Sequence, residues 1–163
     1  MEPGAMTLVY VLVLLLAGNV VSLEFNSCGE SEVPPNYLSF FHCRHLPCQF
    51  TLGSNVTGVM NIMVGEESTD LIGEMTVDHN GSKITFPVPG VHICVGLEKD
   101  KCRFKSGDSA NYYFKFQVNV DLPDEDIATF RMVVRNENGT SLSCAEFNGT
   151  IVGDAITESK GEN

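Results

Sequence analysis

The sequence predicts an all-β fold, an antiparallel β-sandwich of seven to eight short strands. The main observation is that apolar and polar residues alternate with a period of two along several runs, which is the pattern of a strand with one buried and one solvated face. Turn-forming residues separate these runs, and no run shows sustained helical spacing with caps. The chain also contains six cysteines, which can pin a small sandwich together.

The strands are predicted from the runs with the clearest alternation. Residues 112–120 carry apolar or aromatic side chains at every even position, and these face away from Tyr113, Lys115, Gln117 and Asn119. Three further runs alternate similarly, at residues 56–64, 71–78 and 128–135. Shorter candidates are residues 23–27, 37–42, 83–86 and 142–147.

Two dipeptides predict tight hairpins between these runs. Asn80-Gly81 and Asn138-Gly139 are strong hairpin signals, because both residue types tolerate the positive φ angles of such turns. The chain contains no Trp, and an antibody-type domain packs a Trp against its inter-sheet disulfide. The sequence therefore favours a sandwich other than an antibody domain.

The first 22 residues are predicted to be a secretory signal peptide. Their apolar stretch, residues 8–17, is too short to span a bilayer of about 30 Å, and Val20 and Ser22 occupy the −3 and −1 positions of a cleavage site. The alternative interpretation is a membrane anchor. We expect a single domain over residues 23–152 and a polar, acidic, flexible tail over 153–163.

The predicted secretion determines how the cysteines are interpreted. Six cysteines in a short secreted chain indicate three disulfides, for which 15 pairings can be drawn. The alternative is a zinc site at His42, Cys43, His45 and Cys48, but zinc needs thiolates, which an oxidising compartment removes. Four sequons predict a glycoprotein, with acceptors at Asn55, Asn80, Asn138 and Asn148.

The charge excludes one class of partner. The chain has 21 acidic and 10 basic residues, a net charge of −11, and the basic residues form no patch, so we expect no nucleic acid partner. Three polar segments could be imagined as catalytic or cation-binding groups, but each is better interpreted as a solvated turn: Gly107-Asp108-Ser109, Glu66-Glu67 and Asp124-Glu125-Asp126. We therefore expect neither enzymatic activity nor a cofactor or metal ion.

Five features of the mature chain form a recognisable combination over residues 23–152. They are, in chain order, Phe25-Asn26-Ser27-Cys28-Gly29, Cys43 and Cys48 with four residues between them, Phe86-Pro87-Val88-Pro89, Cys94 and Cys102, and Ser141-Leu142-Ser143-Cys144. In these motifs the chain resembles the ML lipid-recognition domains, in particular their Niemann–Pick type C2-like branch.

The resemblance implies an immunoglobulin-like sandwich with an internal lipid pocket between its sheets. It also implies the pairs Cys28–Cys144, Cys43–Cys48 and Cys94–Cys102. Carried over from sterol-binding relatives, the pocket mouth falls on Phe86, Val118 and Leu122, the last in place of an aromatic residue. The alternation supplies the apolar inner faces from Met60, Ile62, Met75, Phe114, Phe116, Phe130 and Met132.

The resulting hypothesis is a secreted, monomeric carrier that binds a sterol, a fatty acid or a similar lipid. It would transfer this ligand to a membrane or a receptor, outside cells or, alternatively, in lysosomes. The same alternation also describes an ordinary packed core, so the pocket depends on the resemblance. A second hypothesis is an innate-immune co-receptor that presents microbial lipid. The charge counts against it, because removal of the leader, whose one charged side chain is Glu2, leaves 20 acidic and 10 basic residues, a net charge of −10.

Overall fold

The alternating runs form β-strands in the computed structural model, which describes residues 23–90, 103–120, 122 and 126–153. Nine strands occur in these ranges, and none of the described residues is helical. The strands are β1 Asn26–Ser27, β2 Tyr37–Phe40, β3 Cys48–Thr51, β4 Asn55–Met63, β5 Leu71–His79, β6 Ser82–Val88, β7 Ser109–Gln117, β8 Ile127–Asn136 and β9 Ser141–Val152.

Two sheets face each other. The larger has the order β1-β9-β8-β5-β6, with β3 also paired to β9, and the smaller has the order β2-β4-β7. Among the described strands, β6 therefore ends the larger sheet and β7 ends the smaller one. This confirms the predicted all-β sandwich.

Strand β3 is the main difference from the predicted strands. It pairs with β9 in a parallel register, Cys48 opposite Gly149 and Thr51 opposite Val152, while the other described pairs are antiparallel. Its alternation is limited to Cys48 and Phe50, which are buried, so four residues give too short a pattern to predict. This strand raises the number above the predicted seven to eight.

Both predicted hairpins form, with different turns. Asn80 (φ 51°) and Gly81 (φ 83°) join β5 to β6, and both have the positive φ angle that a type I′ turn requires. Between β8 and β9 only Gly139 of the Asn138-Gly139 pair has a positive φ, 84°. Its amide donates to the Asn136 carbonyl at 3.0 Å, which gives a three-residue loop.

The inner faces of the two sheets meet in a core rich in aromatic rings. Phe40 of the smaller sheet lies between the rings of Phe114 and Phe147, with centroids 5.4 and 5.0 Å away. Phe50 contacts Phe130 at 5.2 Å and Phe40 at 5.7 Å. These edge and tilted contacts join β3, β8 and β9 to β2 and so hold one side of the sandwich together.

Two of the three implied disulfides lie within the described residues and are present. Cys28 is bonded to Cys144, and Cys43 is bonded to Cys48, so the two sulfurs that a zinc ion would need are joined to each other. The implied Cys94–Cys102 pair, the signal peptide and residues 154–163 of the tail lie outside the described residues.

No helix in the described part of the chain could cross a membrane.

Candidate functional site

A groove lies between the end strands of the two sheets, β6 and β7. Its volume is about 650 Å³, within the roughly 300–1,000 Å³ that small-molecule sites occupy. It is open to solvent, because β6 and β7 belong to different sheets and do not pair with each other along it. Its lining residues are Asn55, Ile84, Phe86, Pro87, Pro89, Lys115, Phe116, Gln117, Asn119 and Val120.

The β6 wall of the groove is apolar. Alternation along β6 directs Ile84 and Phe86 to the same side as buried Val88, yet Ile84 remains 45% exposed because no described residue of the smaller sheet covers it. Pro87, which has no amide hydrogen to donate, is tolerated in β6 because β6 is an edge strand among the described strands. Ile84 and Phe86 thus form an apolar surface at an edge of the larger sheet with which no further described strand pairs.

The two walls meet at a pair of aromatic rings. The Phe86 ring lies 5.6 Å from the Phe116 ring, centroid to centroid, and joins β6 to β7 across the groove. Phe116 is buried, whereas Phe86 is only partly buried against the core. Phe86 therefore lies at the boundary between the groove and the interior.

The β7 wall is polar. Lys115, Gln117 and Asn119 are exposed and lie on the outward side of the strand and its extension. The Gln117 side-chain amide is held by donation to the Gly53 carbonyl at 2.9 Å. The groove therefore has one apolar wall, from β6, and one polar wall, from β7, which carries an ammonium group and two side-chain amides.

Tyr112 connects the end of β6 to β7 beneath the surface. Its buried hydroxyl donates a hydrogen bond to the Val88 carbonyl, and Gly90 forms a bridge to Phe114, so the chain that leaves β6 crosses to β7 here. A Cβ atom on Gly73 would lie only 2.6 Å from the hydroxyl oxygen, so glycine makes room for this contact. Burial raises the pKa of Tyr112 to about 12.

Replacing Tyr112 by Phe should lower the free energy of unfolding by about 1–2 kcal/mol, because the Val88 carbonyl loses a buried donor. The raised pKa adds a pH dependence: the tyrosine ionises near pH 10 in the unfolded chain but near 12 in the folded one. Its contribution is therefore complete below pH 10 and is lost as the pH rises to 12. Urea unfolding at pH 8 and pH 11 should show the gap between wild type and variant shrinking; an equal gap at both would contradict this.

The sequence of the chain identifies its family. A family model described as the ML domain matches residues 22–151. The chain belongs to the ML domain family. A solved Niemann–Pick type C2 protein from the Japanese carpenter ant is similar to this ML domain, with a TM-score of 0.61, 18% identity, and coverage of 78% of this chain and 98% of that one. No curated protein matches the chain.

A second solved structure, chicken MD-1 complexed with lipid IVa, is similar to this ML domain over 76% of this chain and 85% of that one. Its identity is 17% and its TM-score is 0.46. The ant protein supports the shared sandwich fold, which agrees with the resemblance found in the motifs.

Within this ML domain, the predicted site residues fall into two groups. Phe86 and Phe116 line the groove. Val118 and Leu122, expected at the mouth, are buried, with 4% and 9% of their surface exposed, and are not among the lining residues. The remaining predicted contacts are buried in the interior: Met60, Ile62, Met75, Phe114, Phe130 and Met132.

Several groove residues were not among the predicted contacts. Ile84, Pro89 and Val120 extend the apolar surface, and Lys115 and Asn119 form part of the polar wall. Pro89 was visible in the FPVP stretch, but alternation assigned Lys115 and Asn119 to a solvated face. Only the position of β7 at an edge makes that face part of a groove.

The four sequon asparagines are exposed in this ML domain. Asn80 and Asn138 lie in hairpin loops, Asn148 lies on β9, and Asn55 begins β4 at the rim of the groove. Their exposure is compatible with the predicted glycosylation, and Asn55 would place a glycan beside the groove.

Proposed function

We propose that the protein is a secreted, glycosylated lipid carrier that binds one sterol, fatty acid or similar ligand and transfers it to a membrane or a receptor. The observation that carries the proposal is the groove of about 650 Å³ between the ends of the two sheets, with Phe86 and Phe116 at its base. Membership of the ML domain family supports it. The ligand would be bound and released without chemical change.

The energetics of an apolar groove suit this role. Removing about 500 Å² of lipid surface from water would give on the order of 12 kcal/mol before the costs of association. Phe86 packs against the same core cluster that contains Phe116, Met60, Met75 and Met132. Methionine side chains are flexible, so this core can rearrange around ligands of different shape.

The test is the lipid content and lipid uptake of the purified mature protein. We expect native mass spectrometry or solvent extraction to detect co-purified lipid, and a fluorescent sterol or fatty acid to bind saturably with one site per chain. Absence of both co-purified lipid and saturable uptake would reject the proposal. Transfer is tested separately, by following a bound fluorescent lipid into acceptor vesicles with and without the protein.

A further inference from the structure

The cationic side chains of the described residues differ in whether a carboxylate neutralises their charge in an ion pair. Lys115, in the wall of the groove, forms no ion pair with any carboxylate that the structure describes. Four other described cations are paired, namely Lys83 with Asp78 at 3.3 Å, Arg103 with Glu67 at 3.0 Å, Arg131 with Glu32 at 3.4 Å and Arg135 with Glu74 at 3.3 Å. Arg44 and Lys105 likewise form no ion pair with a described carboxylate, but neither of them lines the groove. The groove of an acidic protein thus carries a positive charge that no described carboxylate neutralises in an ion pair.

Lys115 also stands opposite an apolar wall. Ile84, Phe86 and Pro89 line the groove from the β6 side, while Lys115 and Asn119 line it from the β7 side. A ligand that covers both walls needs a hydrocarbon chain and a polar group that can accept hydrogen bonds. A carboxylate meets the second requirement and adds charge complementarity to the ammonium group.

Salt limits the distance over which the acidic residues of the protein act. The net charge of −11 belongs to the whole chain, and in 0.15 M salt a charge is largely screened beyond about 8 Å. A head group next to Lys115 is therefore within the range of its ammonium group, while distant carboxylates affect mainly the rate of encounter.

We propose that the groove prefers a single-chain anionic amphiphile, a long-chain fatty acid in its carboxylate form, and that Lys115 contacts the carboxylate. This inference rests on the proposed function and names the ligand class of the same site. Lys115 acts on specificity, because the hydrocarbon chain of the ligand supplies most of the affinity through its burial against the β6 wall.

The experiment compares oleate with oleyl alcohol, which has the same chain and a neutral head group. Wild type should bind oleate more tightly, by about twofold to fivefold, as expected for one exposed charged contact. Lys115→Met should lose this preference while its affinity for the alcohol is unchanged, and Lys115→Glu should reverse it. Raising the salt concentration should reduce the wild-type preference.

Lys83→Met is the matched control, because this substitution removes the same charge at a position outside the groove, where Lys83 is paired with Asp78. It should keep the wild-type preference. Equal loss of oleate and alcohol in Lys115→Met, or no loss of either, overturns the inference about the head group but leaves lipid binding intact. If wild type binds neither oleate, oleyl alcohol nor a sterol, the proposed function itself fails.

Discussion

Replacing Phe86 by Asp should weaken the binding of a hydrophobic ligand by about 100-fold while the protein still folds and is secreted. Phe86 lies at the base of the groove against Phe116, and a full phenylalanine contact is worth up to about 3 kcal/mol, to which the buried charge adds a desolvation cost. Because Phe86 is only partly buried, its replacement leaves the interior packed. Titration with a neutral fluorescent sterol measures the affinity without charge repulsion.

Two variants separate a groove effect from a folding effect. Thr85→Asp puts the same charge on the neighbouring, outward-facing position of β6, where it should leave sterol affinity unchanged. Val118→Asp places a charge at a buried position and should reduce secretion as well as binding. If Phe86→Asp reduces secretion as strongly as Val118→Asp does, Phe86 is an ordinary core residue and not a ligand contact.

Removing the disulfide between Cys28 and Cys144 should lower the free energy of unfolding by about 5 kcal/mol. The two residues are 116 positions apart, so their bond closes a long loop and restricts the unfolded chain strongly. The double substitution Cys28→Ala and Cys144→Ala is compared with wild type by denaturant unfolding under non-reducing conditions.

The other described disulfide is the internal comparison. Cys43 and Cys48 are five positions apart, and the same loop-entropy relation gives about 2 kcal/mol for their removal by double substitution with Ala. A smaller loss for the long loop than for the short one would show that loop entropy does not govern the stability of this sandwich.

The fold was predictable where local chemistry decides it. The four long alternating runs became β4, β5, β7 and β8, because a period of two over eight or more residues has no competing helical interpretation. The boundaries were less accurate: the run predicted at 112–120 is a strand from Ser109 to Gln117, where pairing with β4 begins and ends. Pairing depends on the partner strand, which alternation within one run does not contain.

The site was predictable only in part. Alternation indicates which side chains share a face, and it placed Phe116 on an inner face. Phe86 was predicted from the resemblance to the ML domains, and its ring meets that of Phe116. Alternation does not indicate which strands end their sheets, and the groove exists because β6 and β7 do. For the same reason Lys115 was interpreted as a solvated residue, although the position of β7 at the end of its sheet, among the described strands, makes Lys115 part of a wall of the groove. Val118 and Leu122 remain predicted contacts until binding is measured.

The two described disulfides share a location with a mechanical consequence. Both lie among β1, β2, β3 and β9, on the side of the sandwich away from β6 and β7. Among the described residues, the covalent cross-links therefore lie along one side of the sandwich, and the described contact between β6 and β7, Phe86 with Phe116, is non-covalent. A bulkier ligand would separate β6 from β7 without straining either of the two described disulfides. The affinity should therefore decline gradually with increasing ligand size and show no sharp cutoff.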